Sequence, residues 1–402
     1  MITLVEQHHI KRGYPYFAEI DQAAFAAKNL YNKAQYVVRQ SFIHEQLYIP
    51  YSRLYHMIKH EPEYFALPRK VSQQVLKQLH QNWQSFFAAM KAWKREPDKF
   101  LGRPKLPGYK DKTEGRFLLT YTDQAVSKSG LREGIIKPSG LTIEIPTTRE
   151  NIKQVRIVPR TDLYVVEAVY EREPEENDLD ATLIAGIDLG IDNLLTVTSN
   201  QQGFVPLAVN GRGLKSINQF YNKSRAQAQS TVGNRSTHRI KYLTYKRNAK
   251  VKHILHVASR RVIDRLVADR IGTLVIGYNP KWKQGVNIGR VNNQKFVSIP
   301  FATLIHMLTY KAALAGIEVI MQEESYTSKC SFLDGEFPQK RSHYAGRRIH
   351  RGLFRAADGT LINADVNGSY NIITKAFPDT DLFEGIEGVV VHPERLDIFQ
   401  TE

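Results

Sequence analysis

The sequence predicts a chain in two parts: a small β domain interrupted by a helical block, then a mixed α/β domain. Three observations predict it. At 402 residues the chain is too long for one ordinary core. Its hydrophobic period is helical from about 14 to 93 and changes to two from 117 to 170. After an acidic stretch, a three-strand meander leads into alternating helix and strand, the pattern of a mixed sheet.

The elements follow in order. The opening segment, 1–13, holds ITLVEQHHIK, which reads as a strand. In 14–99 apolar residues recur at three and four, as in AAFAAKNLYNKAQYVVRQSF and VSQQVLKQLHQNWQSFFAAM. Residues 100–110, FLGRPKLPGYK, are punctuated by glycine and proline and read as a loop. Within 100–172, FLLTYT, GIIKP, LTIEIP, VRIVPR and LYVVEAVYE are short strands suited to a small β-barrel or sandwich. The first strand is expected to join them, which makes the helical block an insertion. EPEENDLDA, 173–181, carries five acids and a proline and reads as a linker. Three strands come next, in LIAGIDLGIDNLLTVTSN and GFVPLAV. Basic helices follow at about 213–229 and 237–269, then the strand TLVIGY, the helix IPFATLIHMLTYKAALAG and the strand IEVIMQ. A last helix starts near Asp365.

The formal net charge is +16, and it is clustered. Residues 212–270 hold fifteen Lys and Arg against two acids, Asp264 and Asp269. Residues 337–355 add six more basic residues with no acid, whereas 377–402 carries seven acids and one arginine. A solvated helix face normally mixes signs to form i,i+4 pairs. A run this one-sided favours a polyanionic partner, because each cation placed on a phosphate releases counterions. No apolar run approaches a spanning helix, and MITLVEQHHIKRG has no signal-peptide core, so a cytoplasmic protein is expected. The single cysteine, Cys330, excludes an intrachain disulfide and a multi-cysteine zinc site.

Four carboxylates stand out. Asp188 interrupts the apolar strand IAGIDLGIDN, where a carboxylate is costly to bury without a donor or a positive charge. Asp365 lies in NADVNGSYNI, where it or Asn363 could cap a helix. Glu323 and Glu324 end the strand IEVIMQEES, and each alone reads as a solvated strand end. Together these acids suggest a divalent cation. Magnesium takes hard oxygen ligands, and converging carboxylates repel one another unless metal holds them ionised. Two such ions can clamp a scissile phosphate. A basic surface beside an acidic centre is the charge pattern of a nuclease.

AGIDLGIDNLLTV resembles the first RuvC motif of the TnpB family, transposon-encoded RNA-guided DNA endonucleases related to type V CRISPR effectors. The succession RNAKVKHILHVASRRVID, GTLVIGYNPKWKQ, FVSIPFATLIHMLTYKAALAGI, EESYTSKCS and NADVNGSYNI also resembles that family, as does FLGRPKLPGYK upstream. The resemblance implies an RNase-H-like (RuvC-like) nuclease domain over 182–324 and 363–376. It further implies a β-barrel wedge domain over 1–13 and 100–172, a helical recognition lobe over 14–99, a zinc-finger-like insertion over 325–362 and an acidic tail over 377–402. The implied partners are a guide RNA from the transposon end and target double-stranded DNA, with no membrane, in a prokaryotic, nucleoid-associated setting. The implied cofactor is Mg2+, two ions, held by Asp188, Asp365 and a glutamate.

The chain departs from the family at two places. Where many members carry the glutamate of the second motif, Gly277 stands. Some members look rearranged, with the glutamate just before the YTSK segment, so the role passes to Glu324, with Glu323 as the alternative. Adjacent strand residues face opposite ways, so only one of the two should reach the metals. Where many members carry two CxxC pairs, only Cys330 remains, with His343 and His350, so no structural zinc is expected. Nucleic-acid contacts are expected from Arg347, Arg348 and Arg351, and from Lys70 and Gln74, which lie four apart on one helix face where Gln can pair with adenine. Tyr51, Tyr109 and Trp93 could stack on bases or belong to the lobe's core. The alternatives to an active nuclease are a catalytically inactive RNA-guided DNA-binding repressor, which Gly277 would suit, and a compact type V CRISPR effector.

Overall fold

The computed structural model describes residues 1–233, 235–279, 298–350, 352–379, 393–396 and 398. The chain divides into two compact units between Arg172 and Glu173.

The first unit opens with β1 (Ile2–Lys11), whose burial alternates along its length. The helices α1 (Phe17–His44), α2 (Tyr51–Ile58), α3 (Pro62–Phe65) and α4 (Arg69–Arg95) follow. Pro62 sits at the start of α3, where its missing N–H costs nothing. Trp83 of α4 is fully buried and donates its indole N–H to Gln35 Oε1 of α1 at 2.8 Å, which satisfies both polar groups inside the bundle. The remaining elements are β2 (Leu119–Thr122), α5 (Lys128–Arg132), β3 (Ile135–Ile136), β4 (Ile145–Pro146), β5 (Ile152–Arg160) and β6 (Leu163–Arg172). Strands β5 and β6 form a hairpin in which Arg160 pairs with Leu163. Asp162 takes the left-handed turn conformation at φ 63°, which Asp tolerates better than most residues. The sheet order is β1-β6-β5-β2, so the first strand does join the later ones across the helical insertion.

The closed β-barrel expected from the sequence is not what these strands make. They form an open four-stranded sheet and a separate β3–β4 pair, with one isolated bridge, between Val126 and Pro138, outside both. Strand β2 has four residues and β3 and β4 two each, too short to carry a ladder around a closed wall.

The second unit contains β7 (Asp180–Leu189), β8 (Asn193–Ser199), β9 (Leu207–Asn210), α6 (Arg212–Val232), α7 (His238–Ala268), β10 (Ile271–Tyr278), α8 (Phe301–Leu314) and β11 (Glu318–Glu323). They are followed by β12 (Arg347–His350), β13 (Leu353–Arg355), β14 (Leu361–Asn363), α9 (Ala364–Ala376) and β15 (Glu394–Leu396). The main sheet has the order β11-β10-β7-β8-β9-β15. Strands β7, β8 and β9 form the antiparallel meander, and β10 and β11 add in parallel on the other side of β7. Of the 377–402 tail, 380–392 lies outside the described residues.

Alternation along β7 and β10 decides what faces what. Ala185, Ile187, Leu274 and Ile276 pack with α7 and α8, whereas Ile184 and Val275 pack with α9. Asp188 and Gly277 share the parity of the second set and so belong to the α9 face.

On the opposite face, Lys311 of α8 is buried and donates Nζ to the His256 carbonyl at 2.7 Å and to Ser259 Oγ at 2.8 Å on α7. Burial, reinforced by Arg260, pushes its pKa down to about 8. The unfolded chain, with a lysine pKa of about 10.4, therefore binds more protons than the folded one between these values. Stability should rise with pH across that window. In Lys311→Met the rise should be absent, so the parent's melting temperature should gain several degrees on the variant's between pH 8 and 10. A gap that stays constant across the window refutes the assignment.

Candidate active site

Three ends of secondary structure meet on the α9 face. Asp188 comes from the end of strand β7, Glu324 from just beyond β11 and Asp365 from the first turn of α9. The cap of α9 explains why Asp365 is available. Asn363 is the capping residue and accepts from the backbone N–H groups of Asp365 at 2.9 Å and Val366 at 3.2 Å, so the Asp365 carboxylate is not consumed by the helix end. Its Oδ2 accepts from Asn193 Nδ2 at 2.8 Å, and its Oδ1 lies 3.7 Å from Arg348 Nη2.

Asp188 answers to the same neighbours. Burial, then the charges of Asp365 and Glu324, push its carboxyl well above the usual carboxylate range, with Arg348 opposing them. Two carboxylates thus burden a third, and one guanidinium relieves them. Asp188 and Asp365 line one cavity of about 1030 Å3, together with Asn193, Asn210, Arg212, Ser328, Arg348, His350 and Arg395. Glu324 is not part of that cavity's wall. The sequence reading missed Asn193, Arg212 and Arg395, whose polarity alone does not distinguish them from surface residues.

Glu323 and Glu324 part company. Glu323 accepts from Ser325 N at 2.8 Å and Ser325 Oγ at 2.7 Å, and pairs with Lys375 Nζ at 2.7 Å. Those donors hold its carboxyl below the usual glutamate range against the pull of burial. Glu324 turns to the α9 face. A Cβ added at Gly277 would stand 3.1 Å from Glu324 Oε2, 3.2 Å from the Ile187 carbonyl and 2.5 Å from Ile372 Cδ1. Glu324 therefore lays its carboxylate close over Gly277, where a side chain would otherwise begin.

The fit to metal can be tested on this donor set. Among the described residues, no group of three Asp, Glu, His or Cys side chains converges closely enough to enclose one ion. Magnesium, however, commonly takes one or two carboxylates and completes its shell with water and substrate phosphate. The charges of Asp365 and Glu324 both act on Asp188, and a site of one or two carboxylates suits that mode. Two glycines let the carboxylates lie close to the backbone: a Cβ at Gly368 would stand 3.1 Å from Asp188 Oδ2, as one at Gly277 would from Glu324 Oε2. Hard oxygen donors, mutual repulsion and side-chain-free approaches together fit divalent ions.

Gly368→Ala is a direct probe of that space. Alanine raises helix propensity by up to about 1 kcal/mol. Yet its methyl would displace the Asp188 carboxylate by a few tenths of an ångström. Thermal unfolding should be unchanged or up to about 4 °C higher, while any phosphodiester cleavage should fall roughly tenfold or more, because small misplacements of reacting groups are expensive. A variant with parental cleavage rates would show that this clearance does not matter.

Within 325–362, buried side chains tie the segment to α9. Cys330 is buried, with its thiol directed at the Phe337 and Gln339 carbonyls at 3.6 and 3.7 Å, and burial raises its pKa. Asn367 and Asn371 of α9, both fully buried, donate to the Cys330 carbonyl at 2.9 and 2.8 Å, and Phe332 stacks on Tyr370 at 4.4 Å. These contacts fix the turn that carries Glu324 to α9, a role the motif NADVNGSYNI did not reveal. His343 and His350 are exposed.

The other expected contacts are scattered. Arg347 and Arg348 are exposed on β12, Lys70 is exposed and Gln74 half-buried on α4, and Arg351 lies outside the described residues. Tyr51 is half-buried against the first unit's core, with Tyr55 at 6.4 Å and Lys77 Nζ 5.8 Å from its ring, and burial raises its pKa. Trp93 is half-buried, and Tyr109 is exposed with Arg39 at 5.5 Å from its ring.

Residues 167–283 match the OrfB_IS605 family model, described as "Probable transposase". Residues 301–372 match the model "Cas12f1-like, TNB domain". The first match contains Asp188 and the second contains Glu324 and Asp365, in the order the motifs require. Over these two segments the chain is similar to both families. Among curated proteins, the chain is 24% identical over 231 residues to the CRISPR-associated endodeoxyribonuclease Cas12f2 of Micrarchaeota archaeon, covering 54% of this chain and 41% of that protein. It is 26% identical over 239 residues to the CRISPR-associated endodeoxyribonuclease Cas12f1 of Sulfoacidibacillus thermotolerans, covering 55% of this chain and 52% of that protein. The chain thus spans about half or less of the length of these relatives. Its fold is similar to the protein in the cryo-EM structure of a Cas12f1-sgRNA-target DNA complex, with a TM-score of 0.51, 13% identity, and coverage of 88% of this chain and 82% of that one.

Proposed function

We propose that this chain is a TnpB-like, RNA-guided, metal-dependent DNA endonuclease whose RuvC-like, RNase-H-like nuclease domain is the second unit. The observation that carries the reading is the pressure on Asp188, a carboxylate pushed well above its usual pKa by burial and by Asp365 and Glu324. Groups perturbed this way in a cleft mark functional sites. A meander of three strands followed by two parallel strands, with α9 across one face, supports the nuclease fold.

In this reading Asp188, Glu324 and Asp365 hold two Mg2+ ions. Bound there, the ions would neutralise the three carboxylates and polarise the scissile phosphate. The chain's own groups do the rest. Asn193 holds the Asp365 carboxylate in one orientation through Oδ2. Arg348, 3.7 Å from Asp365, supplies a counter-charge on the cavity wall and can pass to a substrate phosphate. Arg212 and Arg395, on the same wall, can steady the strand on either side of the break. The excess of +13 over 212–270 suits a sugar–phosphate backbone held without base reading. A guide RNA would read sequence by base pairing, and target duplex DNA with a short adjacent motif would be the substrate. Among the described residues no helix is long and apolar enough to cross a membrane.

The experiment is cleavage of a target duplex by purified protein carrying its copurified RNA, with and without Mg2+. Sequencing that RNA should return one transposon-end transcript, and cleavage should need both it and the metal. Tight, RNA-directed binding of intact DNA would instead favour the inactive repressor that Gly277 suits. Random cellular RNA and no site-directed binding would end the proposal.

A further inference from the structure

The first unit carries a second cavity, far in sequence from the carboxylates. It has a volume of about 610 Å3 and is lined by Phe42, Phe86, Phe87, Met90, Lys91, Lys94, Arg103, Pro104 and Leu106. We propose that it takes a single unpaired nucleobase of a bound nucleic-acid strand, with the adjoining phosphate on its basic rim. This rests on nucleic acid being the chain's partner.

The floor is aromatic. The rings of Phe42, Phe86 and Phe87 lie 5.4 to 6.4 Å from one another in tilted and edge arrangements, and all three are only half-buried. Such rings offer π faces to any base, whatever its sequence. The rim is cationic. Lys91 and Lys94 lie three apart near the end of α4, Arg103 comes from the facing loop, and all three are exposed. No carboxylate lines the cavity. The wall is fixed in place rather than draped. The Pro107 carbonyl accepts from Gln35 Nε2 and from Arg39 Nη1, the latter at 3.3 Å, and Gln35 is itself held by Trp83 at 2.8 Å. A preformed apolar recess of a few hundred Å3 with a few placed charges is the usual form of a small-ligand site. Here an apolar planar group and an anion must belong to one ligand, and a nucleotide within a strand meets both requirements. Specificity would fall on unpaired positions, because a base inside a duplex cannot leave its stack without loss.

The test uses the full chain with single-stranded oligonucleotides bearing 5-bromouracil, and with abasic strands of equal length. Ultraviolet cross-links should map to Phe42, Phe86, Phe87 or Met90. The parent should bind base-bearing strands more tightly than abasic ones, and Phe86→Ala should erase roughly tenfold to a hundredfold of that preference. Should Phe86→Ala fail to fold, the exposed triple variant Lys91→Ala, Lys94→Ala, Arg103→Ala remains. It should weaken both strands and lower the slope of log affinity against log salt by about 2. Cross-links confined to other regions, with the base preference intact in Phe86→Ala, overturn the pocket while leaving the nuclease reading untouched. Loss of self-association in Phe86→Ala without a change in strand binding also overturns it, making the recess a contact between copies. Absence of any strand binding by the parent overturns both proposals.

Discussion

Asp188→Asn is expected to lose target cleavage by about a thousandfold or more and yet to unfold at a higher temperature than the parent when no divalent ion is present. The two effects have one cause. Asp188 would be one of the residues that hold the ions, and a metal clamp would supply several kcal/mol of transition-state stabilisation, each 1.36 kcal/mol being about tenfold in rate. Without ions, desolvation and the charges of Asp365 and Glu324 hold the same carboxylate's pKa well above the usual value. A raised folded-state pKa means that the folded chain binds more protons than the unfolded one. The contribution to stability is therefore fully present below about pH 4, the unfolded value, and is lost as pH rises through the folded value. Asparagine keeps the shape and removes the charge, so the variant should lack that loss. Melting in chelator at pH 5 and pH 8 should show the parent falling further than the variant. Adding Mg2+ should narrow the gap, because ion binding stabilises only a chain that retains its ligands. A variant that cuts at the parental rate, or a melting gap independent of both pH and Mg2+, would remove Asp188 from the centre.

Much of this site can be read from the sequence because its signals are local. The apolar run around Asp188 gives its strand, and the strand's alternation gives its face. The sequence NADVNGSYNI gives a capped helix, although it leaves open whether Asn363 or Asp365 does the capping. The hydrogen bonds decide for Asn363, which leaves Asp365 to the cavity. What stays hidden depends on partners distant in sequence. Asn193 meets Asp365 across 172 positions, and Asn367 and Asn371 fasten the turn after β11 from 37 to 44 positions away. Nothing in the local pattern marks them, since buried asparagines and surface asparagines look alike in one sequence. The closed barrel fails for a related reason. Period-two segments report strands, but closure depends on strand length and register, and β2 to β4 are too short. The apolar period of α1 and α4 gave helices, but did not show that Trp83 is fully buried while Phe42, Phe86 and Phe87 are left partly open.

The choice between Glu323 and Glu324 carries the second large effect. Glu324→Ala is expected to lower cleavage about a thousandfold, and Glu323→Ala to leave it within a fewfold. Alternation in the sequence says that only one of two adjacent residues shares the face of Gly277, and the pairing of Gly277 with Gln322 assigns that face to Glu324, two residues on. Three facts favour Glu324. Its charge acts on Asp188, its Oε2 lies 3.1 Å from where a Gly277 side chain would begin, and Glu323 is engaged by Ser325 and Lys375. Removing Glu323 breaks a half-exposed ion pair worth at most about 1 kcal/mol, so its signature is a small drop in melting temperature without a change in metal response. Removing Glu324 should weaken Mn2+ binding in the absence of nucleic acid, a readout that does not pass through cleavage. Gly277→Ala should resemble Glu324→Ala more weakly, because the added methyl must share space with Glu324 Oε2 and with Ile372 Cδ1 at 2.5 Å. The Ile372→Val background should relieve the contact with the isoleucine and leave the one with the glutamate. If Glu323→Ala is the inactive variant and Glu324→Ala the active one, the assignment is reversed, and Gly277 has no part in making room for a ligand.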